Sequence, residues 1–330
     1  MKKKSLYWQI PLLVLLIVGT FFIARSRYQD HADENGKDSQ AAANFIHNEG
    51  FMFDTVYRIT YESDVDMHGE VERALNKVDK VFSMFNENST VSCINRGENP
   101  ELPPMYVEVY ERAEQIKADT EGAFDVTVAP LVNAWGFGFK SEQMPTPAQV
   151  DSLLKIKNQL DYSAIAKGYG CDVAARALDS LGVKNYMIEV GGEVVTRGHN
   201  PEGKQWRIGI TKPAEDVKSE IYAIMRVGDV AMATSGNYRN FYYKEGRKYA
   251  HTIDPRTGYP VQHELLSATV LAPKCTDADA YATSFMVLGL NKSKEVLKRH
   301  PEMKAYFIYT DEEGKLAVWH SPDMELEDMP

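Results

Sequence analysis

The sequence predicts an α+β protein, built largely on antiparallel sheets with packed helices and preceded by an N-terminal membrane anchor. Strand-like segments outnumber helical ones in the second half of the chain and mostly follow one another through turns. That pattern argues for antiparallel pairing and against a doubly wound parallel sheet. The first half carries several stretches with apolar residues at helical spacing. At the N-terminus stands an apolar run close to the roughly 20 residues that cross a bilayer's hydrocarbon core.

That run covers residues 6–24 and is broken only by Gln9, Pro11, Gly19 and Thr20. Lys2, Lys3 and Lys4 precede it and favour a cytoplasmic leading end, with the rest of the chain on the other side. A cleaved signal peptide is the alternative, although no small-x-small cleavage site is evident near Ala24 and no cysteine stands there to carry a lipid. The chain therefore divides into an anchor or signal segment (1–27), a polar linker (28–48), a folded domain (49–322) and a solvated acidic tail, DMELEDMP (323–330).

Within the folded part, 51–62 (FMFDTVYRITYE) alternates and is rich in β-branched and aromatic residues, so it reads as one strand. Residues 68–85 place Val71, Leu75, Val78, Phe82 and Phe85 at helical spacing. A polar loop over 83–95 leads to a helix over 105–120 with Val107, Val109, Tyr110, Ala113 and Ile116 inward. The stretch 122–138 (GAFDVTVAPLVNAWGFG) mixes glycine, aromatic and short apolar pieces and reads as a ligand-facing segment. Thr146-Pro147 is a cap followed by proline at the first helical position. In 161–181 a short loop carries Ser163, Lys167, Gly168 and Gly170, and an amphipathic helix then runs to a stop at Gly182. Strands are expected over 185–190, 205–211, 221–227, 230–234, 248–253, 266–271, 305–309 and 315–319.

The stretch 275–289 (CTDADAYATSFMVLG) opens a helix that Thr276 can cap, with Asp277 and Asp279 in the first turn, where free backbone N–H groups favour negative charge, and Gly289 at its end. Asp279 and Thr283 are four apart and share a face. A carboxylate and a hydroxyl so placed suit a hard cation such as Mg²⁺, which takes oxygen ligands. Two capping acids on an ordinary helix are the plainer reading of the same residues.

The formal net charge of −10 and the lack of a long basic run after the N-terminus argue against nucleic acid as a partner. Cys93, Cys171 and Cys275 are far apart and give neither metal-ligand spacing nor a disulfide framework. Lys167-Gly168 invites comparison with a phosphate-binding loop, but the earlier glycine of that motif is missing. His251 lies in HTIDPRTGYP, three residues before Asp254, and a histidine near a carboxylate can act as acid or base near neutral pH.

Taken in order, GAFDVTVAPLVNAWGFG, DYSAIAKGYGCD, IEVGGEVVTRG, WRIGITKP, ATSGNYRNF, HTIDPRTGYP and CTDADAYATSFMVLG resemble the FAD:protein FMN transferase (ApbE-like) family over about 51–309. The resemblance implies an ApbE-like, T-fold-like domain that binds FAD, cleaves its pyrophosphate with Mg²⁺, and transfers FMN to a threonine of a target protein, releasing AMP. It implies a place at the bacterial inner membrane, facing outward, with a redox-complex subunit as flavin acceptor. Residue by residue, it implies Asp279 and Thr283 as metal ligands, joined by the backbone carbonyl of Ala164. Ala123, Phe124, Asp125, Asp161, Lys167 and Ile253 would face the FAD. The acceptor hydroxyl is a poor nucleophile at its normal pKa, and His251 is the candidate base. The family's early M-G-T element aligns with Phe53-Asp54-Thr55, and its cofactor-packing tyrosine with Phe85, which can stack but cannot donate a hydrogen bond. An FAD pyrophosphatase and a flavin-binding protein without turnover are the alternatives.

Overall fold

A computed structural model describes residues 44–138, 144–211, 221–237, 241–244 and 247–327. The anchor assigned to 1–27 and most of the linker lie outside these residues, and no helix among the described residues is long and apolar enough to cross a membrane.

The chain opens with a hairpin, β1 (Phe45–Met52) and β2 (Thr55–Glu62), where the sequence suggested a linker to 48 and then a single strand. The correction comes from the two-residue turn. Phe53 and Asp54 both take positive φ, 54° and 57°, the conformation of a tight hairpin turn that usually selects Asn or Gly. The alternation of β2 hid this break.

Helices follow: α1 (His68–Phe82), α2 (Thr90–Asn95), α3 (Pro104–Asp119), α4 (Ala129–Ala134), α5 (Pro147–Leu153) and α6 (Ala166–Ser180). The predicted polar loop holds α2, whose Ser89 cap accepts from Ser92 N at 3.0 Å. The Thr146 cap is present as a full capping box with Gln149. Next come β3 (Tyr186–Val190), β4 (Glu193–Arg197), β5 (Trp206–Thr211), β6 (Ile221–Val227), β7 (Val230–Gly236), β8 (Phe241–Lys244), β9 (Arg247–Ala250) and β10 (Leu265–Ala272). The chain closes with α7 (Cys275–Arg299), β11 (Lys304–Thr310), β12 (Leu316–His320) and β13 (Leu326–Glu327).

Every strand pairing among the described residues is antiparallel, as the sequence implied. The main sheet runs β1-β2-β3-β4-β7-β10-β11-β12, and a smaller one runs β13-β6-β5. Helices cover one face of the main sheet. Ala233, Ala268, Val270, Ala305 and Phe307 pack there with Ala278, Ala282, Phe285 and Met286 of α7, and Tyr57, Ile59, Ile188 and Val190 pack with Cys171, Ala174 and Leu178 of α6. The small sheet covers the other face, with Trp206, Ile208, Met225 and Val227 against Val194, Met232, Leu271, Tyr306 and Ile308. Strands β4 and β10 are thus buried on both faces, and β10 (LLSATVLA) reads accordingly as a near-continuous apolar run, whereas β4 (EVVTR) buries a glutamate and a threonine as well.

The acidic end is not simply a solvated tail. Leu326 and Glu327 pair with Met225 and Ile224, and Glu327 receives Arg207 at 2.6 Å and Arg226 at 2.9 Å. The two guanidiniums hold its carboxyl down to about 2.

Candidate active site

Helices α6 and α7 cross beside β4 and β7, and the crossing sets the site. Gly168, in the first turn of α6, is where the helices touch. A Cβ there would stand against the Cys275 carbonyl, 2.7 Å from its carbon and 2.8 Å from Asp279 Cβ. Only glycine allows so close an approach. The expected loop over Lys167, Gly168 and Gly170 is therefore helix, because packing against α7 outweighs the weak helix propensity of glycine.

The start of α7 is held by its neighbour and not by its own cap. Lys274 occupies the cap position without a side-chain bond. Asp172 of α6 instead accepts from Cys275 N (2.9 Å), Thr276 N (2.9 Å) and Thr276 Oγ1 (2.6 Å). Thr276 is thus a donor to the cap, and Asp277 turns away to Arg112 at 2.6 Å. Burial pushes the Asp172 carboxyl up in spite of these bonds. Asp172→Ala would strip the helix end of its acceptor and is expected to cost about 2 kcal/mol. At about 2–4 °C per kcal/mol for a domain of this size, thermal unfolding should show a fall of about 4–8 °C. The predicted end at Gly289 is a break, φ 76° and ψ 173°, after which helical turns resume to Arg299.

Asp279 is buried, with Oδ2 accepting from Gly168 N at 2.9 Å and Oδ1 3.7 Å from Lys167 Nζ. Lys167 Nζ reaches Glu193 Oε1 at 3.0 Å and the Ser163 carbonyl at 3.4 Å. Glu193 is 4% exposed, and its Oε2 has no hydrogen-bond partner. Burial, with the Asp279 charge, pushes the Glu193 carboxyl up to about 7 against the pull of Lys167. Burial also raises Asp279. The ammonium is held charged because the two carboxylates outweigh its own burial. Thr283, one turn after Asp279, lies 3.1 Å from Ser235 Oγ.

These groups open on a cavity of about 1000 Å³. Of the residues proposed from sequence, Phe85, Ala123, Phe124, Asp125, Asp161, Ala164, Lys167, His251, Ile253, Asp279 and Thr283 all line it. Phe53 does not. Its left-handed turn drives the ring into the core against Gly170, where an added Cβ would lie 2.9 Å from the ring, and Thr55 faces the cavity instead. Asp125 lines the wall but is engaged by the protein, with Lys117 at 3.0 Å and Thr127 N at 2.9 Å, and these partners hold its carboxyl low against burial. Asp161 accepts from Ser163 N at 2.8 Å and so shapes the loop that carries Ala164. Ile253 packs with Leu131, Trp135 and Val150. Phe137 meets the His251 ring edge-on at 6.4 Å. Asp254 is engaged by Arg256, whose guanidinium donates to both its oxygens at 2.8 Å.

Sequence reasoning missed Glu193, Asp172 and Ser235, and placed Gly168 in a loop. Glu193 had one signal, a charge directly after Gly191-Gly192 at the start of a strand, and Ser235 lay in a segment already marked by its glycine. Cys171 and Cys275 both lie buried at the α6–α7 crossing, with thiols that burial pushes up, so they act as core residues.

The oxygen donors suit a hard cation. Asp279, Thr283 and Ala164 border one cavity, and beside Lys167 a buried carboxylate oxygen, Glu193 Oε2, has no hydrogen-bond partner. Among the described residues no three His, Cys, Asp or Glu side chains gather as a metal cluster. An ion here would take one carboxylate, a hydroxyl and a carbonyl, and complete its shell from water and substrate, as Mg²⁺ does.

Buried opposing charges at the mouth of two helices, facing a deep cavity, define an enzyme site. The model of the ApbE family matches residues 53–307. An FAD:protein FMN transferase of Haemophilus influenzae is 35% identical over 300 residues, covering 80% of this chain and 86% of its own. The Escherichia coli K12 protein of the same name is 33% identical over 294 residues, 81% and 83% of the two chains. The solved flavin transferase ApbE from Vibrio cholerae superposes with a TM-score of 0.76 at 33% identity, covering 85% of this chain and 98% of its own. The chain belongs to the ApbE family, and it is a transferase.

Proposed function

We propose that this protein is an FAD:protein FMN transferase, which cleaves FAD and joins the FMN half through a phosphoester to a threonine hydroxyl of an acceptor protein, with release of AMP. The reading rests on one observation above others. Asp279, Thr283, Ala164 and Lys167 border a single cavity large enough for a dinucleotide, in a chain whose relatives bear that name. Phe85, Phe124 and Phe137 are among the lining residues and are the aromatic candidates to meet a planar ring. The Lys167 ammonium lends positive charge to the pyrophosphate. Mg²⁺ held by Asp279, Thr283 and the Ala164 carbonyl would polarise the phosphorus and stabilise the leaving phosphate. His251 accepts the proton of the attacking hydroxyl as the new P–O bond forms and the bond to AMP breaks.

Residues 1–27 would tether the domain to the outer face of a bacterial inner membrane, a placement supported by the apolar run over 6–24 behind three lysines. The acceptor would then be a membrane or extracytoplasmic protein.

Incubation with FAD, Mg²⁺ and a threonine-bearing acceptor tests the reading by intact mass. An acceptor heavier by FMN supports transfer; free FMN and AMP with an unmodified acceptor would make the protein a pyrophosphatase, and intact FAD a mere flavin binder. His251→Ala is expected to keep FAD affinity while transfer falls about a hundredfold or more, the usual scale of a lost general base. Loss of FAD binding instead would make His251 a wall of the pocket.

A further inference from the structure

Lys167 stands between two buried carboxylates, and the two contacts are unequal. Nζ is 3.0 Å from Glu193 Oε1 and 3.7 Å from Asp279 Oδ1. A buried ammonium this close to Asp279 is a built-in rival to any cation that the carboxylate would hold. In the absence of Glu193 nothing among the contacts of Lys167 except Asp279 and the Ser163 carbonyl would balance its charge, and it would close on Asp279. Glu193 also has an oxygen to spare. Oε2 is the only carboxylate oxygen among the described residues that is buried without a partner, and it lines the same cavity.

We infer that Glu193 is the counter-ion of Lys167, and that by taking up the ammonium it leaves the charge of Asp279 free for the divalent cation. Glu193 thus acts through Lys167 as a positioning residue and need not touch substrate. When the cation enters at Asp279, repulsion drives Nζ further onto Glu193, whose unpartnered Oε2 gives it a second acceptor. The ammonium stays beside the phosphates in place of leaving the site. With both carboxyls ionised, Glu193, Lys167 and Asp279 together carry one net negative charge, and without the Glu193 charge the remaining pair sums to zero. The local backbone is shaped for this. Gly191 and Gly192 take φ of 63° and 109°, so the chain turns sharply and delivers Glu193 inward as the first residue of β4.

The inference deepens the transferase reading by assigning a residue of the same site, and its test is independent of turnover. Mg²⁺ affinity is measured by calorimetry on the protein without FAD or acceptor. Glu193→Gln, which keeps the shape and removes the charge, is expected to weaken Mg²⁺ binding at least tenfold. Adding Lys167→Met to Glu193→Gln is expected to restore affinity to within about threefold of the parent, since the rival ammonium is gone. Glu193→Asp keeps the charge and should stay near the parent, which answers the case where Glu193→Gln folds poorly. Two outcomes overturn the assignment: unchanged affinity in Glu193→Gln, or equal weakening in the single and double variants, which would make Glu193 a direct ligand or a packing support. Parent protein that binds Mg²⁺ with this pattern yet leaves the acceptor unmodified would refute transfer alone and leave the role of Glu193 standing.

Discussion

Asp279→Ala is expected to reduce FMN transfer by a hundred- to about a thousandfold or more, the scale of losing a principal electrostatic group at a reacting phosphate. Asp279 is the sole carboxylate in the proposed cation set, so neither Thr283 nor the Ala164 carbonyl can replace its charge. Alanine also removes the acceptor of Gly168 N, so lost activity could reflect a disturbed helix crossing. Asp279→Asn separates the two effects. Its amide oxygen can still accept from Gly168 N, so thermal stability should hold while transfer and Mg²⁺ affinity collapse together. Flavinylation of the acceptor at the parent rate by either variant, read by intact mass, would remove Asp279 from the mechanism.

Gly168→Ala is expected to destabilise the protein and disable the site at once. The new methyl meets the backbone carbonyl of Cys275 and the Cβ of Asp279, neither of which is the free end of a flexible side chain. Forcing a methylene into such a contact costs about 1–3 kcal/mol, so the unfolding midpoint should fall by several degrees, at about 2–4 °C per kcal/mol. Because α7 must move away, Asp279 and Thr283 move with it, and transfer should drop at least tenfold in the fraction that remains folded. Gly182→Ala is the contrast. That position has φ of 84° but open space around it, so it should cost about 1 kcal/mol through backbone strain and leave the cavity untouched.

How far the sequence could be read follows from the range of each interaction. Asp279 and Thr283 were legible because a helix puts residues four apart on one face, and the structure keeps them there, on the cavity wall. The antiparallel arrangement was legible because strand patterns followed one another through turns. The cap of α7 was not legible, since Asp172 lies 103 residues from the N–H group of Cys275, and Thr276 was the better local candidate. Two glycines beside Lys167 suggest a loop, but Gly168 serves the close passage of two helices and Gly170 makes room for the Phe53 ring, which no local pattern reports. Phe53 was matched by alignment to a cofactor-facing position, but alignment does not say which way a ring points from a left-handed turn. Glu193 is a buried charge whose partner is 26 residues away, and an isolated glutamate in sequence carries no mark of that.

The sequence distance across the helix crossing has a consequence for how the protein comes to exist. Gly168 and Asp279 are 111 residues apart, and Asp172 and Thr276 are 104 apart. Between them the chain must lay down β3 to β10, the middle of the main sheet and most of the small one. Contacts of such long range close only after the intervening loop entropy has been overcome, and topologies rich in them fold slowly. A nascent chain that has released α6 but not α7 therefore has an ammonium and a glutamate with no cation site between them. The protein gains its chemistry late, when the last sixth of the chain arrives, and a cut anywhere in between would leave two pieces that each lack half of the centre.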